Sequence, residues 1–117
     1  VVSVQNRLNP YFREAIQEGV VAECDRRTIT FLAYSPVGGA RLAKKLAKFP
    51  VLQEIARSRG ASPHAVTLAW VRSKGKMVVP IPGATKPEHA VDSARSVELV
   101  LSPEEVAAID AAEFSRA

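Results

Sequence analysis

Residues 78–93, VVPIPGATKPEHAVDS, decide the fold of this chain because they join an apolar strand to a helix through one sharp turn. Residues 77–81 are apolar and partly β-branched, which predicts a strand, and Pro82-Gly83 is a strong turn signal that ends it. Thr85 is the predicted N-cap of the helix, and Glu88, three residues on, completes a capping box. The stretch therefore predicts a strand–turn–helix unit of an α/β fold.

The amino end of this predicted helix is a candidate seat for an anion. Free backbone N–H groups and the positive end of the helix dipole meet there, directly after a strand. Lys86 and His89 lie in the first turn and would add positive charge to the same place. Two interpretations stay open from the local pattern: a phosphate site, or an ordinary βα turn with routine capping.

The composition is that of one soluble globular domain. The chain has 117 residues, of which 47% are hydrophobic and 24% charged, enough for a single core but not for two domains. Its sequence has no run of about 18 apolar residues and no signal-type start, so no membrane partner is expected. Because it begins at Val1 in a strand-like run, we expect it to be a piece of a longer protein.

The single cysteine, Cys24, cannot form an internal disulfide. This cysteine usage is typical of a reducing compartment, so a cytoplasmic location is expected. Cys24 lies in a helical pattern, which favours a packed thiol over a nucleophile.

The net charge of +4 comes from 16 Lys plus Arg against 12 Asp plus Glu. Much of the excess lies in two clusters, at residues 41–48 and 72–76. Nucleic-acid binding is not expected, because aromatic residues are few and there is no arginine-rich run. The clusters favour a solvated face, or attraction to an anionic cofactor.

Two further strands are predicted, at residues 1–5 and 28–34. The first is apolar and β-branched, which is typical of a strand buried on both faces. Gln5 and Asn6 follow at its carboxyl end, where an amide can bind a ligand amide or only satisfy loop backbone. Tyr34 ends the second strand, where it can stack on a flat ring or pack in the core.

Apolar residues at helical spacing predict helices at residues 14–26, 51–59, 62–73 and 102–114, besides the one that follows Thr85. Ser62-Pro63 and Ser102-Pro103 are strong N-cap signals, the second with a capping box to Glu105. Gly38-Gly39 either permits close approach of a ligand or is a flexible bend. Residues 41–49 are basic and amphipathic, and predict either a short helix or a loop.

Three finer expectations follow from the same patterns. His64 is expected at the surface, since no second metal ligand accompanies it. The helix after Thr85 is expected to bury an apolar stripe made of Ala90, Val91, Ala94 and Val97. The last helix is expected to turn Val106 and Ile109 inward. The alternation of strands and helices predicts parallel strands with crossover helices.

Five motifs, in this order and spacing, resemble the C-terminal part of the aldo-keto reductase family, whose fold is a TIM (β/α)8 barrel. They are VQNRLNP, FLAYSPVGG followed by RLA, IARSRGASPHAVTLAWV, VVPIPGATKPEHAVDSA and LSPEEVAAID, spread over residues 1–112. The resemblance implies an α/β chain of about three βα units plus a terminal helix, a single partial domain over residues 1–117. Such a piece is incomplete as a closed barrel.

The resemblance also implies an NADP(H) site in this chain. Gln5 matches a glutamine that holds the nicotinamide carboxamide, and Tyr34 matches an aromatic residue that stacks on the nicotinamide. The loop over the pyrophosphate corresponds to Ser35, Val37, Gly39 and Leu42. The segment at the 2′-phosphate and ribose corresponds to Gly83, Ala84, Thr85 and Lys86, with His89 at a position that is often basic. Asp92 and Ser93 match the adenine contacts, although the family usually has asparagine in place of Ser93.

The family's catalytic Asp, Tyr, Lys and His come from the N-terminal half of the barrel, so no residue here is assigned a catalytic role. The implied parent reduces carbonyls or oxidises alcohols with NADP(H), and this chain alone is expected to be inactive. Three strands cannot close a barrel that needs eight. The chain is therefore expected to need the missing N-terminal half or to self-associate. The alternative is a non-catalytic nucleotide-binding or assembly module derived from the same fold.

Overall fold

The computed structural model describes residues 1–83 and 86–116. Within them, three strands alternate with helices, as the sequence predicts. The elements in chain order are β1 (Ser3–Arg7), α1 (Glu14–Gln17), α2 (Val20–Arg27), β2 (Thr30–Tyr34), α3 (Gly39–Leu46), α4 (Pro50–Arg59), α5 (Pro63–Arg72), β3 (Val78–Ile81), α6 (Pro87–Arg95), a 3₁₀ helix (Ser96–Glu98) and α7 (Pro103–Ala111).

The strands form one parallel sheet in the order β1-β2-β3. Ser3 pairs with Thr30 at the start of β1, and Phe31 pairs with Val78 at the start of β3. Each connection between neighbouring strands contains helices, as parallel pairing requires. The expectation of parallel strands with crossover helices is therefore confirmed.

The two faces of this sheet differ in cover, because successive side chains of a strand point to opposite faces. Phe31, Ala33 and Val78 are buried on the face that α2 and α5 cover, which we call the covered face. The other face is largely exposed to solvent, and we call it the open face; it carries Gln5, Arg7, Leu32, Tyr34, Val79 and Ile81.

The first strand differs from its prediction in both position and burial. It spans Ser3–Arg7, and Val1 and Val2 are 97% and 87% exposed. The prediction of a strand buried on both faces is wrong, because no element within residues 1–83 and 86–116 covers its open face or its outer edge. β-branched residues indicate a strand but do not say what covers it.

Left-handed residues account for two other differences. The predicted helix over residues 14–26 is broken into α1 and α2 at Gly19, which has a φ of 83°. The second strand begins at Thr30 because Thr28, with a φ of 56°, ends α2 and cannot continue an extended strand.

Local capping signals predicted the later helices well. The Ser62 hydroxyl accepts a hydrogen bond from the Ala65 N–H at 3.0 Å, and Ser102 and Glu105 form the predicted capping box. Ile109 is buried, as predicted, but α7 ends at Ala111, short of Phe114. Phe114 instead packs with Tyr11 and Phe49 beyond the helix. Cys24 is a buried free thiol, as expected.

Helix α6 differs most from its prediction. Its N-cap is Lys86, whose side chain makes no capping hydrogen bond. The predicted capping box involves Thr85, which lies outside the described residues. The stripe expected to be buried is exposed: Ala90, Val91, Ala94 and Val97, with Val91 at 50% and Val97 at 65%. Polar residues hold the opposite side instead, since Asp92 accepts a hydrogen bond from Ser62 on the neighbouring helix at 2.6 Å.

Candidate cofactor site

The carboxyl ends of the three strands lie side by side. Arg7, Tyr34 and Ile81 are in register across the sheet. Gln5 precedes Arg7 by two residues, so it lies on the same open face, in register with Leu32. Ligands of parallel α/β folds bind at the carboxyl ends of the strands. The structure thus brings two of the predicted site residues, Gln5 and Tyr34, to one face.

Both of these side chains are available to a ligand. Tyr34 is 40% exposed, so the alternative that it packs in the core is wrong. Gln5 is exposed, and its amide makes no hydrogen bond within the described chain. Asn6 differs, because its Oδ1 accepts a hydrogen bond from the Arg7 N–H at 2.8 Å and so satisfies backbone at the end of β1 rather than in a loop.

Residues 35–42 comprise the connection that follows β2 and the first turn of α3, and we call them the covering loop. Ser35 adopts a left-handed φ of 48°, which is costly for a residue with a Cβ. Gly38 and Gly39 have φ values of 92° and 81°, so the glycine pair forms a defined bend into α3. The helix that follows confirms the short-helix alternative, although it begins earlier, at Gly39. Val37 and Leu42 are buried, so their side chains offer little surface to a ligand.

The third group of predicted residues follows β3. Gly83 is exposed two residues beyond Ile81, and Lys86 and His89 are exposed at the amino end of α6. Ala84 and Thr85 lie outside the described residues. Of these residues, Lys86 carries a positive charge and follows the last residue of β3 by five positions.

The two predicted adenine contacts are engaged within the chain. Asp92 accepts the hydrogen bond from Ser62, and the Ser93 carbonyl accepts one from the Ser96 hydroxyl at 2.6 Å. His64 is half-buried and thus only partly at the surface. Burial lowers the pKa of His64, with a smaller opposing effect from the Asp92 carboxylate.

The two basic clusters have different surroundings. Arg72 donates to the carbonyls of Ser96 and Leu99 at 2.9 and 3.0 Å, and the Lys74 ammonium pairs with Asp110 at 2.5 Å. This cluster therefore joins α5 to later elements. In the other cluster, Arg41, Lys44 and Lys45 lie on α3, and Lys48 follows it by two residues.

Sequence reasoning missed the buried side chains that surround the covering loop. Asn9 is fully buried and donates a hydrogen bond to the Ser35 carbonyl at 2.8 Å. Tyr11 is buried and its hydroxyl donates to the Leu42 carbonyl at 2.9 Å. The only local signal was Asn9-Pro10, which indicates a turn but not its partners 26 to 31 residues away.

An open cavity of about 860 Å³ lies elsewhere, between α2 and β1. Val4, Val20, Cys24 and Ile29 line it, and none of its lining residues is a predicted site residue. In residues 1–83 and 86–116, no group of three or more His, Cys, Asp or Glu side chains is arranged to hold a metal ion. No helix in that part of the chain is long and apolar enough to cross a membrane.

Comparison with known proteins gives one consistent family. The model of the aldo/keto reductase family matches residues 1–113. An oxidoreductase of Schizosaccharomyces pombe is 30% identical over 94% of this chain and 34% of its own length. The bovine aldo-keto reductase family 1 member A1 is 29% identical over 92% of this chain and 34% of its own length. The chain therefore spans about a third of the length of these relatives.

Solved structures agree with this. The thermostable aldo-keto reductase Tm1743, crystallised with the inhibitor epalrestat, superposes with a TM-score of 0.83 at 33% identity, over 94% of this chain and 39% of that one. An aldo/keto reductase from Klebsiella pneumoniae, crystallised with NADP and acetate, gives a TM-score of 0.83 at 29% identity, over 93% of this chain and 38% of that one.

Proposed function

Because the chain belongs to the aldo/keto reductase family, we propose that it is the carboxyl-terminal, NADP(H)-binding part of an oxidoreductase that interconverts carbonyls and alcohols. Its fold is α/β and corresponds to part of the family's barrel. When bound, the cofactor supplies or accepts the hydride. The residues of this chain would fix its position and orientation, which is how a protein contributes to cofactor chemistry.

The observation that carries the proposal is that the side chains of Gln5 and Tyr34 both lie on the open face. An exposed amide without a partner can donate to and accept from a carboxamide at once. A half-exposed phenol ring beside it offers a flat surface for a heteroaromatic ring. The two side chains together fit the nicotinamide end of a dinucleotide.

The remaining predicted residues fit the phosphate-bearing part of the same molecule. The glycine bend at residues 38–39 allows backbone to approach a pyrophosphate closely. Lys86 and His89 are exposed near the end of β3, where a cation would attract the 2′-phosphate of NADP(H). Asp92 and Ser93 are proposed for the adenosine, with Asp92 held by Ser62.

Catalysis would belong to a longer protein. In the aldo-keto reductases the acid and its partners lie in the N-terminal half, so this chain would supply position rather than proton transfer. The exposed open face and the unpaired outer edges of β1 and β3, within the described residues, fit a chain that needs further strands. The exposed apolar stripe of α6 fits the same conclusion.

A second candidate is a non-catalytic nucleotide-binding or assembly module, and the apolar part of the open face favours it. Val79 and Ile81 are 48% and 43% exposed, and such a surface can bind a second copy of the chain. The two candidates differ in whether an N-terminal half with a catalytic tyrosine and lysine restores carbonyl reduction.

The test of the proposal is Lys86→Ala in a longer protein that contains this chain. We expect the dissociation constant for NADPH to rise about tenfold and that for NADH less than about twofold, because only NADPH carries the 2′-phosphate. Lys76→Ala is the matched control, since Lys76 is also exposed but lies just before the amino end of β3, away from the carboxyl ends of the strands. Equal weakening of both cofactors would mean that Lys86 does not contact the 2′-phosphate.

A further inference from the structure

A tight turn before α1 holds the covering loop at both of its ends. Residues 9–12 form this turn, which we call the clamp turn. Asn9 and Phe12 exchange two backbone hydrogen bonds, with N···O distances of 3.2 and 3.0 Å. The turn follows β1, whereas the covering loop follows β2, so the contact joins the carboxyl ends of two adjacent strands.

The side chain of Asn9 fixes the first end of the covering loop. Its Nδ2 donates to the Ser35 carbonyl at 2.8 Å, and its Oδ1 accepts from the N–H groups of Tyr11 and Phe12 at 2.9 and 3.0 Å. The Ser35 carbonyl also accepts from the Gly38 N–H at 2.9 Å. Because Asn9 is fully buried, water cannot replace these bonds. They hold Ser35 in a left-handed conformation that it would not favour alone.

The side chain of Tyr11 fixes the second end. Its hydroxyl donates to the Leu42 carbonyl at 2.9 Å. A Cβ at Gly38 would lie 3.2 Å from the Tyr11 ring and 2.8 Å from the Leu42 Cβ, so the bend packs directly against both residues. Burial raises the pKa of the Tyr11 hydroxyl, which therefore stays protonated and remains a donor.

We propose that the clamp turn is a positioning element of the cofactor site, in which Asn9 and Tyr11 fix the covering loop in its binding conformation. This rests on the proposed function, which places the covering loop over the cofactor's pyrophosphate. A loop that is ordered before binding loses less conformational entropy when the ligand arrives. The turn itself does not need to touch the cofactor, because it acts through the carbonyls of Ser35 and Leu42.

Asn9→Asp tests the first end with the least change of shape. The variant keeps an oxygen acceptor for the turn but replaces the Nδ2 donor with an oxygen that faces the Ser35 carbonyl. At pH 8 we expect hydrogen exchange at the Gly38 N–H, which donates to the same Ser35 carbonyl, to quicken by about tenfold or more, the effect of losing one buried hydrogen bond.

Thr67→Val is the matched control for this experiment. Thr67 is also fully buried, and its hydroxyl donates to the Pro63 carbonyl at 2.8 Å inside α5. Tyr11→Phe is the second clamp variant, since it removes only the hydroxyl at the other end of the loop. Equal exchange at Gly38 in Asn9→Asp, Tyr11→Phe and Thr67→Val, after correction for global stability, would overturn the clamp.

The cofactor readout separates this inference from the proposed function. In a longer protein that binds NADPH, Asn9→Asp should raise the KM for NADPH about tenfold at pH 8 with little change in kcat at saturation. A lowered kcat with an unchanged KM would contradict a positioning role.

Failure takes three recognisable forms. If hydrogen exchange at Gly38 is unchanged in both clamp variants, the clamp turn does not hold the covering loop, and this inference is wrong whatever binds elsewhere. If exchange quickens but the KM for NADPH is unchanged, the covering loop does not meet the cofactor, and its place in the proposed function is wrong. If the wild-type longer protein binds no NADP(H), the proposed function itself is wrong, and the clamp turn loses its role in a cofactor site with it.

Discussion

The covered face and the open face of the sheet are built from the same three strands but differ in almost every physical respect. On the covered face, Phe31 and Val78 pack against helices with at most 4% of their surface exposed. On the open face, Val79, the chain neighbour of Val78, is 48% exposed. One face is thus completed by this chain, whereas the other combines apolar residues with the exposed amide of Gln5 and the ring of Tyr34.

The difference between the two faces separates the part of the sheet that stabilises the fold from the part that we propose binds a ligand. Burial of apolar surface stabilises the covered face and the helices packed on it. The open face contributes less to stability. Its exposed apolar and polar groups fit a surface that further strands and a ligand would cover. This chain spans about a third of the length of these relatives, and within residues 1–83 and 86–116 no element covers the open face.

The largest expected effect comes from a matched pair of adjacent residues in β3. Val78→Ala removes two methyl groups from the covered face and should lower the free energy of unfolding by about 2 kcal/mol. Val79→Ala removes the same groups from the open face and should cost less than about 0.5 kcal/mol. Urea unfolding of the two variants measures both values. Equal losses would mean that the two faces are equally covered in solution.

The second effect concerns self-association through the open face. An exposed apolar patch of this kind favours contact between copies, so we expect concentration-dependent association in sedimentation velocity. Val79→Lys with Ile81→Lys should weaken that association by about tenfold or more. Val100→Lys is the control, since Val100 is 74% exposed but lies outside the sheet. A wild-type chain that stays monomeric at all concentrations would contradict this prediction.

The smallest effect lies at the rim of the helical layer, far from the open face. Arg59 on α4 donates to Glu105 on α7, with an Nε···Oε2 distance of 2.9 Å, and lowers the pKa of Glu105 to about 2. A glutamate in the unfolded chain has a pKa of about 4.3, so the paired carboxylate stabilises the fold above that pH. This contribution disappears as the pH falls toward the pKa of Glu105 in the folded protein.

Glu105→Gln should therefore lower Tm by about 2 to 4 °C at pH 7. The difference from the wild type should shrink between pH 5 and pH 2, which thermal unfolding followed by circular dichroism can measure. Glu104→Gln, at the exposed neighbouring position, is the control. A Tm difference that does not change with pH would assign the effect to helix packing rather than to the ion pair.

The parts of the fold that sequence predicted are those set by local chemistry. Ser62 and Ser102 cap the helices that follow them because hydroxyl, proline and helix start lie within a few residues. The strand and helix order followed from periodicity for the same reason. The break at Gly19 was harder to predict, because glycine weakens a helix without always ending it.

The parts that sequence missed depend on distant or absent neighbours. The apolar stripe of α6 indicated a buried side, but burial depends on what lies against the helix, and the described residues supply nothing there. The role of Asn9 depends on a carbonyl 26 residues away. For the site, the strand pattern placed Gln5 and Tyr34 at strand ends, and the resemblance to the family implied their roles. In the structure Gln5 lies inside β1 rather than at its end, and the register of the sheet adds that it shares the open face with Tyr34.

The central claim is that the open face and the ends of its strands form one surface for a dinucleotide. The most direct measurement is a titration of the ¹⁵N-labelled chain with NADP⁺, followed by NMR to millimolar concentration. We predict binding weaker than micromolar, because the rest of the cofactor's surroundings is missing, with shift changes confined to Gln5, Tyr34, Gly39, Gly83 and Lys86 and their neighbours. Micromolar or tighter affinity, which corresponds to about 8 kcal/mol, or shift changes centred on the cavity between α2 and β1, would contradict it.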